Sequence, residues 1–223
     1  LNIKHESYQY YLRQQSPTSN DWQVFFVKRF SNSEIISPFH EIKLHTTTNT
    51  KEYHMIVEIV KGCQGKLEIS RCQDYNPIIH DTDKTFSHRF VESPYPFHYG
   101  SMPQTWENPE EYYRSKHGGD NDPLDIIDIS QCHAFSAQLK KIRALAVLEL
   151  IDDNETDWKI ISIDTQCDGE HLQWFDLKDI PQLIVDQIIH WFSTYKQPPP
   201  VVGQLFGAEK AHAIIDQMHH QWK

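Results

Sequence analysis

The stretch "LKKIRALAVLELI" (139–151) runs through "DDNETDWK" (152–159) into "WKIISIDT" (158–165), placing two Val-, Ile- and Leu-rich runs on either side of an acidic turn. Apolar runs bounded by Asp and Asn read as strands. Earlier runs have the same character: "WQVFFVKRF" (22–30), "EIKLH" (41–45), "YHMIVEIV" (53–60) and "KLEIS" (66–70). Strands that follow one another between turn residues predict a β-barrel or sandwich. A hairpin is expected between 55–60 and 66–70, around the loop "KGCQG".

Near the C-terminus the period changes. In "DIPQLIVDQIIHWFSTYK" (179–196) apolar residues fall at 180, 184, 188, 191, 192 and 195, a helical stripe with Asp179 as expected N-cap and Pro181 in the first turn. In "GAEKAHAIIDQMHHQWK" (207–223) Ala211, Ile214, Ile215, Met218 and Trp222 line one face of a second helix. Between them "QPPPVVGQLFG" reads as a rigid loop, and residues 1–20, with "QQSPTSND", read as a loose arm. With no internal repeat or linker, 1–223 is expected to be a single domain.

A chain that is 39% hydrophobic and 23% charged fits a packed globular protein. Its 21 Lys and Arg against 31 Asp and Glu give a net charge of −10, the wrong sign for gripping nucleic acid through its phosphates. No apolar run approaches the roughly 20 residues of a spanning helix, and the first 30 residues lack a signal-peptide core. Those features predict a soluble protein without a membrane partner, although a start at Leu1 rather than Met fits a processed form or a fragment. Cys63, Cys72, Cys132 and Cys167 form no CxxC pair and are too sparse for a disulfide scaffold, so buried or idle thiols are expected.

The chemistry concentrates in "GDNDPLDIID" (119–128), which holds Asp120, Asp122, Asp125 and Asp128. Carboxylates this close disfavour one another's ionised form unless cations or protons sit among them. An EF-hand reading fails, because its fifth, sixth and twelfth positions would be Leu124, Asp125 and Gln131. A Mg²⁺ ion, which takes hard oxygen ligands and bridges carboxylates to phosphate oxygens, suits the run. Lys66 and Glu68 are two apart and share a strand face. Arg89 and Tyr99 lie in "HRFVESPYPFHYGSMPQTWENP" (88–109), extended and poorly suited to a sheet interior. Asp152, Asp157 and Lys159 sit around the acidic turn, and Tyr195 and Lys196 close the first helix. Taken singly, each of these also fits a structural or solvated role.

Together, "GDNDPLD", "YGSMPQTWENP", "ETDWK", "KLEI" and "WFSTYK" resemble the soluble inorganic pyrophosphatases of the Mg²⁺-dependent family I, in collinear order from "ISPFHEIKL" (36–44) to Lys223. The likeness is to the eukaryotic branch. It implies a mainly β fold, a distorted five-stranded OB-like barrel with two C-terminal helices, whose mouth hydrolyses pyrophosphate with a metal-activated water. By the same resemblance, Asp120, Asp125 and Asp157 would hold a first ion, Asp125 would reach a second, and Asp152 and Asp157 would hold a third. Glu68, with Glu58 near it, would serve the ion that arrives with substrate. Lys66, Arg89, Lys159, Tyr195 and Lys196 would contact the phosphates, with Tyr99 close to the nucleophile and Asp122 as general base.

That assignment agrees with the chemistry, since water must be driven at a phosphorus ringed by negative oxygens, and charge neutralisation and positioning are what a protein can supply. Mg²⁺ is the expected ion, several per site, with Mn²⁺, Zn²⁺ or Co²⁺ as substitutes. A short-chain polyphosphate hydrolase using Zn²⁺ or Co²⁺ is the alternative enzyme. A non-catalytic OB-type oligonucleotide binder would want a basic groove with stacking aromatics. The resemblance further implies a homo-oligomer, at least a dimer, in the cytoplasm or, as in some protist members, in an acidic polyphosphate-storing vacuole where the 14 histidines would titrate. Phe97 and His98 replace the His-Asn of many relatives, Asn108 stands in "WENP" for the usual "WEDP", and "QPPPVVGQ" lacks a Lys-Pro-Glu-Asn run. None of these is an implied ligand, so activity is expected to persist with altered rim or subunit contacts.

Overall fold

The computed structural model describes residues 8–13, 22–28, 34–46, 49–112 and 117–223. Its strands are β1 (Tyr8–Arg13), β2 (Gln23–Lys28), β3 (Ile35–Ile36), β4 (His45–Thr46), β5 (Asn49–Ile59), β6 (Leu67–Ile69), β7 (Ile78–His80), β8 (His98–Ser101), β9 (Asp125–Asp128), β10 (Leu139–Asp152), β11 (Glu155–Asp164) and β12 (Val201–Gly207). Two helices, α1 (Gln182–Phe192) and α2 (Ala208–Trp222), occupy the C-terminal part. β10 pairs with β11, β11 runs parallel to β9, β9 pairs with β8, β8 with β5, and β5 returns to β10. Five strands thereby close on themselves, as the OB-like reading expects. A second sheet, in the order β1-β2-β7-β6 with β3 on β2, lies beside the ring.

The length of β10 lets it serve two partners. Leu139–Ile142 pair with β5, and Ala146–Ile151 pair with β12. Leu145, Ala146, Leu148 and Leu150 join the core under α1, whereas Ala144 and Val147 join the core under α2. The turn to β11 is made by Asp153 and Asn154, both at positive φ (49° and 68°), as a two-residue type I′ hairpin requires. The N-terminus of α2 is capped from a distance, because Asp176 accepts the Ala208 N–H at 2.8 Å. Gly207 allows that approach, since a Cβ there would meet the Asp176 carboxylate at 2.4 Å.

Several expectations need correction. The segments 55–60 and 66–70 do not form a hairpin: β5 belongs to the ring and β6 pairs with β7. The chain between them is taken up by 89–95 instead, with Gly62 N–H donating to Tyr95 O (2.8 Å) and Lys66 N–H to Arg89 O (2.9 Å). "EIKLH" is largely turn, and only His45 enters a strand. Its alternation records the burial of Ile42 and Leu44, not ladder pairing.

The Pro-rich segment 88–109 contains β8, all four residues of which are buried, because Pro94 and Pro96 precede the strand. Gly100 is needed there, as a Cβ would lie 1.8 Å from the Ile56 carbonyl oxygen across the ladder. "QPPPVVGQLFG" is likewise not all loop, since Val201–Gly207 is β12. Asp179 does not cap α1. It ends a 3-10 turn (Leu177–Asp179), accepting the N–H groups of Phe175 and Asp176 at 2.9 and 3.1 Å, and Pro181 takes the N-cap position. Within the expected loose arm 8–13 form β1 along β2, while the rest of 1–20 lies outside the described residues, as do Arg29 and Phe30.

The cysteine expectation is also overturned. Cys132 and Cys167 form a disulfide with Cα atoms 6.0 Å apart, and only Cys63 and Cys72 are free, both exposed. The parallel pairing of β9 with β11 explains it: Asp128 lies beside Ser162, so the residues leaving both strand ends emerge together.

Candidate active site

Every residue assigned from the resemblance lines one cavity of about 460 Å³ at the open end of the ring. β5 contributes Glu58, the chain at β6 Lys66 and Glu68, and β8 Tyr99. Asp120 and Asp122 come from the loop before β9, and Asp125 from its first residue. β10 ends in Asp152, and alternation along β11 places Asp157 and Lys159 on one face. The parallel register sets Asp125 beside Lys159.

Each cation is held by a carboxylate. Lys159, 3% exposed in its side chain, donates to both Asp125 and Asp157. Lys196 lies 2.5 Å from Asp152, and Lys66 lies 3.2 Å from Glu68 and 2.8 Å from Asp81. Arg89 shares Asp81 at 2.7 Å. Arg71 lies 2.8 Å from Asp122 and donates to Asn121 O at 2.9 Å. Tyr99 OH donates to Asp125, while Tyr195 stacks on Trp191 with ring centroids 4.7 Å apart. The buried Glu58 accepts from Ser101 Oγ (2.9 Å) and Ile69 N–H (3.1 Å), which ties β6 across to the ring.

The electrostatics follow from crowding. Burial, then Asp157 and Asp122, hold the Asp120 carboxyl well above the usual carboxylate range. Burial likewise raises Asp157 to about 6, against the pull of Lys159. Partial burial and Asp125 raise Asp122 to about 7 although Arg71 opposes it. Burial alone would lower Lys159, but Asp125 and Asp157 outweigh it and its ammonium is pushed up. These carboxylates thus prefer protons or cations among them. Among the described residues, carboxylate oxygens of Glu107, Asp120 and Asp157 lie within 4.8 Å of one another, a donor set that suits a hard divalent cation.

Sequence reasoning missed Asp81, Arg71 and Glu107. Asp81 and Arg71 lie beyond the quoted motifs and become visible only through their ion pairs. Glu107 has no assigned role within "YGSMPQTWENP", yet it is fully buried beside Asp120 and Asp157. The expectation of altered rim contacts at 97–98 is corrected as well, because both residues are interior. Phe97 packs on Trp191 and Phe192. His98 accepts the Lys61 N–H at Nδ1 (3.0 Å), so its Nε2–H donates to Cys132 O (2.8 Å).

A family model described as inorganic pyrophosphatase matches residues 55–223. An inorganic pyrophosphatase of Zygosaccharomyces bailii is 33% identical over 219 residues, 91% of this chain and 75% of the relative. The crystal structure of type I inorganic pyrophosphatase from Toxoplasma gondii superposes with a TM-score of 0.89 at 28% identity, covering 96% of this chain and 98% of that one. An N-terminally truncated vacuolar soluble pyrophosphatase of Trypanosoma cruzi, in complex with PPi, gives 0.89 at 26% identity over 100% of this chain and 93% of that one.

Proposed function

The chain belongs to the inorganic pyrophosphatase family, and from that premise we propose that it hydrolyses inorganic pyrophosphate to two orthophosphates in the mouth of its barrel. One observation carries the reading: Lys66, Arg89, Lys159, Tyr195 and Lys196 converge with Asp120, Asp122, Asp125, Asp152 and Asp157 on a single cavity. A tetra-anion needs such cations on its outer oxygens, and the carboxylates that now hold them are suited to divalent ions.

Asp120, Asp125, Asp157 and Asp152 would hold Mg²⁺, with Glu68 and Glu58 toward the ion that accompanies substrate. When bound, such ions neutralise phosphate oxygens and acidify the attacking water. Asp122 takes the proton of that water as its oxygen bonds to phosphorus and the bridging P–O bond breaks. Before cations bind, burial and Asp125 hold that carboxyl up to about 7, so it is a group that can carry a proton near neutral pH. Lys66 would leave Asp81 and Glu68, Arg89 would leave Asp81 and Lys196 would leave Asp152 to receive the phosphates, so each cation exchanges one anionic partner for another. Tyr99 keeps Asp125 oriented through its hydroxyl.

The all-oxygen donor set favours Mg²⁺ over Zn²⁺ or Co²⁺, which take N and S ligands readily. With Mg²⁺ the protein should release phosphate faster from pyrophosphate than from tripolyphosphate. Faster release from tripolyphosphate with Zn²⁺ would replace this reading with the polyphosphate one. Assembly as at least a dimer is part of the same proposal and is tested by light scattering. The Cys132–Cys167 bridge supports residence in an oxidising compartment over the cytoplasm, where such cross-links are rare. Among the described residues no helix is long and apolar enough to cross a membrane.

A further inference from the structure

We propose that Glu107 is the inner ligand of the divalent cation that Asp120 and Asp157 hold from the cavity side. The backbone around it clamps the acidic loop: Glu107 N–H donates to Asp122 O and Asn121 N–H to Glu107 O, each at 2.9 Å, while Gly119 N–H donates to Asn108 O at 3.0 Å. Trp106 Nε1–H adds a bond to Asn121 Oδ1 at 3.0 Å. The two segments are pressed so closely that a Cβ on Gly119 would fall 2.4 Å from the Glu107 carbonyl carbon. The Glu107 side chain therefore runs beneath the loop.

Its two carboxylate oxygens differ. Oε1 accepts the Trp158 N–H at 3.0 Å, whereas Oε2 is buried and has no hydrogen-bond partner among the described residues. One oxygen from each of Glu107, Asp120 and Asp157 lies within 4.8 Å of the others. Asp125 is not part of that group; it is engaged by Tyr99 and Lys159. A fully buried carboxylate with one unmet oxygen, crowded by two further carboxylates, is costly without a cation, and a cation bound by all three relieves both the unmet acceptor and the repulsion. Lys159 does not fill this role, since its ammonium is committed to Asp125 and Asp157.

The proposal rests on the metal-dependent reading of the site and is tested by direct binding of Mn²⁺ without substrate. Glu107→Gln keeps the acceptor for Trp158 N–H and removes the charge, so Mn²⁺ titration followed by electron paramagnetic resonance should show the tightest site weakened at least about 10-fold. The metal-free variant should melt no lower than wild type, and its Mn²⁺-induced rise in melting temperature should shrink. A lower melting temperature with unchanged Mn²⁺ affinity would mark Glu107 as merely structural and overturn the proposal. A wild-type crystal soaked in Mn²⁺ supplies a readout independent of any variant. Its anomalous peak should lie within the roughly 2.0–2.4 Å expected of a direct oxygen ligand from Glu107. A peak bonded to Asp120 and Asp157 but out of reach of Glu107 would sink the inference alone, whereas wild-type protein that binds no Mn²⁺ would remove the metal-dependent reading with it.

Discussion

Replacing Lys159 by Met keeps the length of the side chain and deletes the charge between Asp125 and Asp157. Lys159 and Asp157 are almost wholly buried, and Asp125 is mostly so. Breaking a buried pair by removing one partner costs about 3–5 kcal/mol, because the remaining charge is left uncompensated. In a domain of this size one kcal/mol moves the melting temperature by about 2–4 °C, so the metal-free variant should melt roughly 6–20 °C below wild type. The deficit should be larger at pH 8 than at pH 6, since Asp157, which burial already raises to about 6, can take up a proton in the more acidic buffer. Added Mg²⁺ should raise the melting temperature of the variant more than that of wild type, because a more negative pocket binds the ion more tightly and stabilisation grows as RT ln(1 + [L]/Kd). The assay is differential scanning calorimetry of EDTA-stripped proteins at both pH values, with and without Mg²⁺. A stripped variant melting within about 2 °C of wild type, or gaining no more from Mg²⁺, would show that Lys159 does not compensate the two carboxylates.

Asp122→Asn should still bind Mg²⁺ but lose the base-assisted share of the rate, typically about 10²–10⁴-fold, with residual activity rising at higher pH than in wild type; lost metal affinity with an unshifted pH–rate profile would make Asp122 a ligand. Asp157 at about 6 and Asp122 at about 7 bind protons in the folded protein that the unfolded chain has released. Metal-free stability should therefore fall as pH rises from about 4 to about 7, and saturating Mg²⁺ should remove that slope; a flat metal-free profile in thermal melts would contradict the raised values. Reducing Cys132–Cys167, which closes a separation of 35 residues, should cost about 4 kcal/mol and lower the melting temperature by roughly 8–16 °C. An identical melt with and without dithiothreitol would show that the bridge is not formed in the isolated protein.

The long strands β10 and β11 and the turn between them were legible because both runs are apolar over many residues and the turn carries Asp and Asn. The short ring strands β8 and β9 were not. One lies behind two prolines and the other begins in the acidic loop, and each spans four residues, too few for a period to register. The false hairpin has a related cause, since local spacing cannot reveal that 62–66 is claimed by bonds to 89–95. Most of the charged site residues stood out because motifs in collinear order carry them, while Glu58, Arg89 and Asp152 lie outside those motifs, and the fold gathers all of them in one cavity. Glu107 stands inside "YGSMPQTWENP" but escaped because a motif does not tell which of its residues is buried; what marks it is an oxygen with no hydrogen-bond partner among the described residues, beneath a loop folded back on it.

In the proposed reaction, carboxylate-held divalent cations are indispensable to hydrolysis of pyrophosphate in this cavity. Phosphate release should be followed from protein stripped with EDTA, first in excess chelator and then after stepwise return of Mg²⁺. No release above the uncatalysed rate is expected until free Mg²⁺ appears, followed by saturable recovery. Undiminished turnover in excess chelator would contradict it.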